Sequence, residues 1–344
     1  MKKLVLFSLF LAVFVIILGA YTRLTDAGLG CPDWPGCYGH ITVPLSEEKV
    51  EAANQAYPER PVEAFKAWNE MVHRYFAGAL GLCILAIAII ALKNRRQGGP
   101  LKLPLLLLGL VTFQAALGMW TVTLNLLPVV VMGHLLGGFS VLSCLFILYL
   151  RLKRASGNTI RDSATNPGTN KRVTTLAFIG VAILVGQIAL GGWTSANYAA
   201  LACTDMPICE PGWQQRLDFT GAYSVPDADN YEYGAHDYDE RMTMHIVHRA
   251  GAAITLVYLL ALAITCLRTT HFSTAIKRTS VLMIGVLFAQ VALGVSNIVF
   301  SLPLFVAVAH NAVAALLLLT LIRLIWHVVS AYSSRSFSHG GQHG

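Results

Sequence analysis

Eight stretches of this chain, near residues 4–22, 70–92, 103–123, 129–150, 173–195, 243–267, 279–300 and 304–326, stay apolar over a length that crosses roughly 30 Å of hydrocarbon. No other feature narrows the fold as much. Lipid offers no partner to a free backbone N–H or C=O, so each stretch must satisfy its own groups, and a helix does so. The expectation is an all-α polytopic membrane protein with eight transmembrane helices. Composition agrees: 344 residues that are 55% hydrophobic and 12% charged, with a mean hydropathy of +0.59, hold more apolar surface than a soluble core can hide.

Basic residues orient the stretches, because Lys and Arg are retained on the cytoplasmic side. Lys93, Arg95, Arg96 and Lys102 follow the second stretch; Arg151, Lys153, Arg154, Arg161, Lys171 and Arg172 follow the fourth; Arg268, Lys277 and Arg278 follow the sixth. Asp162 is the acidic residue that falls on that side. Both termini are therefore expected in the cytoplasm, with the long loops 23–69 and 196–242 outside. The net charge of +7 is a sorting of charge across the membrane and carries no nucleic-acid message.

The chain repeats itself. At an offset of 172 residues, GAYTRLTDAGLGCPDWPGC (19–37) lies over GGWTSANYAALACTDMPIC (191–209), so Gly19, Thr22, Ala27, Leu29, Cys31, Asp33, Pro35 and Cys37 recur. Slightly larger offsets lay NEMVHR (69–74) over MHIVHR (244–249), QAALG (114–118) over QVALG (290–294), and His134 over His310. The fold expected is two four-helix bundles, and an even number of helices per copy inserts both the same way up, unlike an inverted-repeat transporter. The domains read as 1–154, a linker at 155–172, 173–330 and a disordered cytoplasmic tail at 331–344. Lys2 and Lys3 before a short apolar run also fit a signal peptide. The repeat argues for retention, since the first stretch corresponds to the internal fifth.

Histidines mark the chemistry. His73 and His134, and their repeat equivalents His248 and His310, stand at one depth near the outer leaflet, a pair in each half. One histidine in an apolar helix is as readily a hydrogen-bonded packing residue; a recurring pair on neighbouring helices points to function. Two imidazoles facing across a bundle suit axial ligation of haem iron, whereas zinc wants three or four protein ligands and finds no clustered thiols or carboxylates there. Arg74 and Arg249, next to their histidines, can pair with haem propionates or simply snorkel to the interface. Glu70 lies one helical turn before His73, and its counterpart is His245. A partly desolvated carboxylate there can relay protons, or can be a helix-start acid favoured by the macrodipole. His245 reads as a donor to the ligand shell or as an interfacial residue more readily than as a ligand.

Taken together, GAYTRLTDAGLGCPDWPGC, the ExxHR string Glu70 to Arg74 and the paired histidines resemble the haem A synthase family over the whole transmembrane chain. The resemblance implies a membrane oxidoreductase that hydroxylates a methyl group of haem O twice with O2 and supplied electrons, the gem-diol then losing water to give the formyl group of haem A. It implies substrate haem between His73 and His134, with Glu70 essential to the chemistry. It further implies a haem b cofactor between His248 and His310. The expected partners are haem O, O2, an electron donor, haem O synthase and oxidase assembly factors, with a homo-oligomer open, and the expected site is a bacterial inner membrane. A bis-histidine substrate iron has no position free for O2, so either one of His73 and His134 lets go or activation happens elsewhere.

Two other classes compete. A quinol-linked cytochrome b without oxygen chemistry explains the four histidines and leaves Glu70 unexplained. A transporter is disfavoured because the helices lack central Gly/Pro breaks and the polar residues gather at one edge. Cys31 with Cys37 and Cys203 with Cys209 are expected outside, in an oxidising compartment, as disulfides within each pair. A four-cysteine zinc site, or free or cross-paired thiols, are the alternatives. Each pair staples a lid above its histidines, and a redox role through a mixed disulfide is a further reading. Cys83, Cys144 and Cys266 read as small buried apolar residues.

Overall fold

The computed structural model describes residues 1–156, 167–269 and 272–336. Ten α-helices follow in order among the described residues: α1 (Lys2–Leu24), α2 (Glu47–Ala56), α3 (Ala64–Lys93), α4 (Lys102–Thr123), α5 (Pro128–Ala155), α6 (Pro167–Ala196), α7 (Phe219–Ala222), α8 (Tyr238–Arg268), α9 (Thr274–Val299) and α10 (Leu304–Ser336). All except α2 and α7 are long and apolar enough to cross a membrane, which gives the eight spans that hydropathy demands. No strand occurs among the described residues; a single bridge pairs Cys37 with His40.

The spans are longer than their apolar runs. α3 begins six residues before the run at 70–92, and α8 five residues before the run at 243–267, where a capping box between Asp237 and Glu240 satisfies its first N–H groups. Hydropathy locates where a helix enters lipid; capping locates where the helix begins. Glu70 therefore sits in the second turn of α3, and the first turn holds no acid. A macrodipole effect fades within one turn, so that account of Glu70 does not apply.

Packing follows the repeat. α1 packs on α3 and α5, and α4 on the same two; α6 packs on α8 and α10, and α9 on those two. The two sets meet along α1 with α10, and along α5 with α6 and α10. One hydrophobic core runs through all of them, including Ile84, Ile87, Leu142 and Leu145 on one side and Leu259, Leu262, Leu317 and Leu321 on the other. Its contribution is dispersion and close fit, because lipid tails are as apolar as leucine.

Backbone irregularities repeat as faithfully as the helices. The α4–α5 link takes positive φ at Asn125 and Leu126 (48° and 62°), and the α9–α10 link does so at Ser301 and Leu302 (55° and 61°). Trp34–Pro35 and Met206–Pro207 are both cis. Arg23 donates from Nη2 to the carbonyl of Ser195 at 2.6 Å, and Tyr198 donates its hydroxyl proton to Asp26 at 2.9 Å. Each of these pairs joins a residue to its own repeat equivalent, 172 positions away. Such contacts occur only on the axis that relates two copies, so these four residues mark that axis.

The expected linker 155–172 overlaps the ends of α5 and α6, and residues 157–166 lie outside the described residues. α10 runs on to Ser336; residues 337–344, the rest of the expected tail, lie outside the described residues.

Candidate functional site

α3 carries His73 and α5 carries His134 to face each other with ring centroids 6.4 Å apart and planes at 79°. Imidazole–metal bonds of about 2.0–2.1 Å, with about 1.1 Å from ring centre to nitrogen, separate two trans-ligated rings by roughly 6.3 Å. The spacing therefore admits one metal between the rings. Among the described residues no group of three or more His, Cys, Asp and Glu side chains is placed to hold a bare ion. Two opposed imidazoles with no third side chain suit a metal whose other ligands come from a macrocycle, which fits haem. His248 on α8 and His310 on α10 lie close enough to interact electrostatically.

Room for these rings is made by glycine. A Cβ built on Gly19 would lie 3.0 Å from Cε1 of His73, on Gly118 3.4 Å from Cε1 of His134, on Gly191 2.9 Å from Cε1 of His248, and on Gly294 3.1 Å from Cε1 of His310. Each imidazole thus rests against the bare backbone of a neighbouring helix. The four glycines are two repeat pairs, so one packing solution is used four times. All four histidines remain partly exposed, as the walls of a slot do.

Above the N-terminal pair, Glu70 is 5% exposed. Its Oε2 accepts from the Cys31 N–H at 2.8 Å, and its Oε1 accepts from Arg74. Arg74 also donates to the carbonyls of Asp33 at 2.9 Å, Pro35 at 3.4 Å and Gly36. Cys31 and Cys37 form a disulfide with Cα atoms 4.9 Å apart, and the Asp33 carboxylate accepts from the N–H groups of Tyr38 at 2.7 Å and Gly39 at 2.8 Å. Gly30 lies so close to the α3 backbone at Lys66 and Ala67 that any side chain there would collide with main chain. The loop is a small, internally braced cap, docked through one carboxylate and one guanidinium.

The C-terminal half repeats the disulfide cap and its arginine, with different partners. Cys203 and Cys209 form a disulfide with Cα atoms 5.2 Å apart. Arg249 donates to the carbonyls of Asp205 at 2.8 Å, Pro207 at 3.4 Å and Cys203. His245, 4% exposed, stands where Glu70 does, and Arg249 Nε lies 3.4 Å from its Nε2. Both guanidinium groups, read from sequence as propionate partners or as snorkelling to the interface, donate to loop carbonyls. Cys83, Cys144 and Cys266 are free thiols within helices, Cys266 buried and the others half-buried.

A family profile described as cytochrome oxidase assembly protein, COX15-CtaA, matches residues 2–322. The chain belongs to the COX15-CtaA family. Among curated relatives, a haem A synthase of Shewanella oneidensis is 49% identical over 331 residues, covering 95% of this chain and 97% of the relative. A haem A synthase of Sinorhizobium fredii is 30% identical over 91% of this chain and 85% of its own length. One from a Caulobacter species is 28% identical over 91% and 92%. The family resemblance carried by the ExxHR string and the cysteine loops is thereby borne out.

Sequence reading found the four histidines, Glu70 and the cysteines, and missed the residues that hold them. Gly19 and Gly191 were visible as repeat matches, and Gly118 and Gly294 stand inside the QxALG strings. Gln187, which contacts His248, gave no signal because its repeat equivalent is Val15.

Proposed function

We propose that this chain is a haem A synthase, a membrane oxidoreductase that converts a methyl group of haem O to the formyl group of haem A. One observation carries the reading: in the N-terminal half two imidazoles stand at iron-spanning distance with a buried carboxylate one turn from the pair, and the C-terminal half repeats the two histidines without the carboxylate. Likeness to the haem A synthases of three bacteria supports it.

The two helix sets act as two four-helix bundles in one orientation, a reading supported by the paired packing of α1 with α3–α5 and of α6 with α8–α10. Both termini face the cytoplasm of a bacterial cell and the two caps face outside, by the distribution of Lys and Arg. The substrate, haem O, is held by His73 and His134. His248 and His310 hold haem b, which when bound supplies single electrons from a donor.

Within the N-terminal half this chain does four things. His73 and His134 orient the substrate so that the methyl to be oxidised is fixed in place. The disulfide cap closes the loop end of the slot and keeps water from the reacting carbon. Each hydroxylation consumes two protons with its two electrons, and the Glu70 carboxylate, tied to the Cys31 N–H, is the nearby acidic group to hold and pass them. Arg74 keeps that carboxylate from swinging away. In the C-terminal half no proton is consumed, and His245 replaces the acid.

Expression in a bacterium that makes haem O but no haem A tests the reading. Extracted pigments should contain haem A with the intact chain and only haem O and haem b with Glu70→Ala or His73→Ala. Bound haem b without any haem A from the intact chain makes the protein an electron-transfer cytochrome instead.

A further inference from the structure

Both long outer loops send a segment to one residue, Asn125 in the α4–α5 link. From the first loop, Arg60 donates to Asn125 Oδ1. From the second loop, the Asp229 carbonyl accepts from Asn125 Nδ2 at 2.7 Å, and the Tyr231 N–H donates to the Asn125 carbonyl at 3.0 Å. The repeat places Ser301 and Leu302 at the equivalent point of the α9–α10 link, with the same positive φ. Among the described residues no hydrogen bond joins either of them to an outer loop, and Ser301 is exposed.

The second loop crosses from its own half to the other to make these contacts. It leaves the C-terminal half at Ala222, which is buried and accepts from Trp193 Nε1 at 2.8 Å. It returns at His236, which is buried with its Nδ1 2.7 Å from Glu240. Between these anchors, residues 226–235 form a strap with its own braces: the Tyr231 hydroxyl donates to the Pro226 carbonyl at 2.8 Å, and the Gly234 N–H to the Tyr231 carbonyl at 3.0 Å. At the tip, Tyr231 packs with Leu29 of the first cap and Leu126 of the link, and all three are buried. Leu29 is 8% exposed, whereas its repeat equivalent Leu201, which the strap does not reach, is 40% exposed.

We propose that Asn125 is a positioning residue, the clasp through which the outer loop of the C-terminal half closes the substrate slot of the N-terminal half. The proposal rests on the reading of His73 and His134 as the residues that hold substrate haem. His134 lies two turns beyond the link on α5, and Gly118, against which its ring rests, lies about two turns before it on α4. Fastening the link therefore fastens the helix ends that present this imidazole. Three hydrogen bonds and one ring make a closure of modest net strength, because each bond is exchanged for one to water on opening. Anchored at both ends and held lightly at its tip, the strap opens without unfolding either half. Such a closure suits a slot whose haem arrives, reacts and leaves, and while shut it keeps water from the reacting carbon. Neither loop fastens the link above the C-terminal slot, whose haem stays.

Hydrogen exchange read by mass spectrometry on the full-length protein in detergent tests the clasp without any haem assignment. Asn125→Ser installs the residue that the repeat carries at the same positive φ, and Tyr231→Ala removes the buried ring. Each should raise exchange at residues 28–31, 124–128 and 229–231 by roughly 10-fold and leave 200–203 and 300–304 unchanged. The second readout is haem per molecule of washed protein from cells that make haem O. Haem O and haem A should fall roughly 10-fold in both variants while haem b stays at the parent level. Unchanged exchange at 124–128, an equal rise in both halves, or faster exchange with haem O and haem A retained in full each overturn the proposal. His73→Ala tells that failure from failure of the site reading. If this variant keeps haem O and haem A like the parent, the slot does not hold substrate; if it loses them, the clasp alone has failed.

Discussion

Glu70 and His245 occupy one place in two copies and differ in what each can do with a proton. Glu70 is held by a main-chain N–H and a guanidinium, whereas His245 has only a long contact with Arg249. Glu70→Gln keeps an oxygen for the Cys31 N–H and removes the acid, so haem content should be unchanged while haem A formation falls by about 100-fold or more, read by pigment analysis. The glycines make a second residue-scale case. Gly191→Ala drives a methyl to 2.9 Å from His248 Cε1 and should displace the ring, costing about 1–3 kcal/mol and altering the haem spectrum. Gly186→Ala, which meets nothing within 4 Å, is the silent control in the same spectral measurement. The histidines and Glu70 were legible in the sequence because they are costly in a membrane and because four of them recur. Their supports were not, because a glycine advertises no partner and a glutamine opposite a valine looks like drift.

At the scale of elements, the two disulfide caps were legible as lids from their spacing and repeat. What holds them down was not. From sequence Arg74 and Arg249 read as propionate partners or as side chains snorkelling to the interface, because position alone does not show where a long side chain points. The loop carbonyls claim both, since those carbonyls crowd the start of α3 and α8 and lack other donors. Arg74→Met should therefore release the first cap: hydrogen exchange across residues 31–40 should rise, while the 203–209 cap stays protected. Arg249→Met should give the opposite pattern. If neither exchange pattern changes, the arginines do not fasten the caps. The helices outrun their apolar stretches for a related reason. Hydropathy registers lipid contact and passes over the first turns of α3 and α8; a capping box holds the start of α8, whereas α3 begins without a side-chain cap.

At the scale of the molecule, eight spans follow from apolar run length alone, because a bilayer leaves backbone groups no alternative. The axis between the copies did not follow from sequence, since contacts such as Arg23 with Ser195 and Tyr198 with Asp26 depend on how the copies pack. Orientation rests on charge. Alkaline phosphatase fused after Val225 should be active, and fused after Gly98 inactive; the reverse would invert the topology. On the proposed function the two like halves divide the labour, with substrate in the first and resident cofactor in the second. Mass spectrometry of the haem extracted from purified protein tests it most directly. His73→Ala should retain haem b and lose haem O and haem A, and His248→Ala should lose haem b. Loss of the same haems from both variants would show that the halves do not divide the haems in this way.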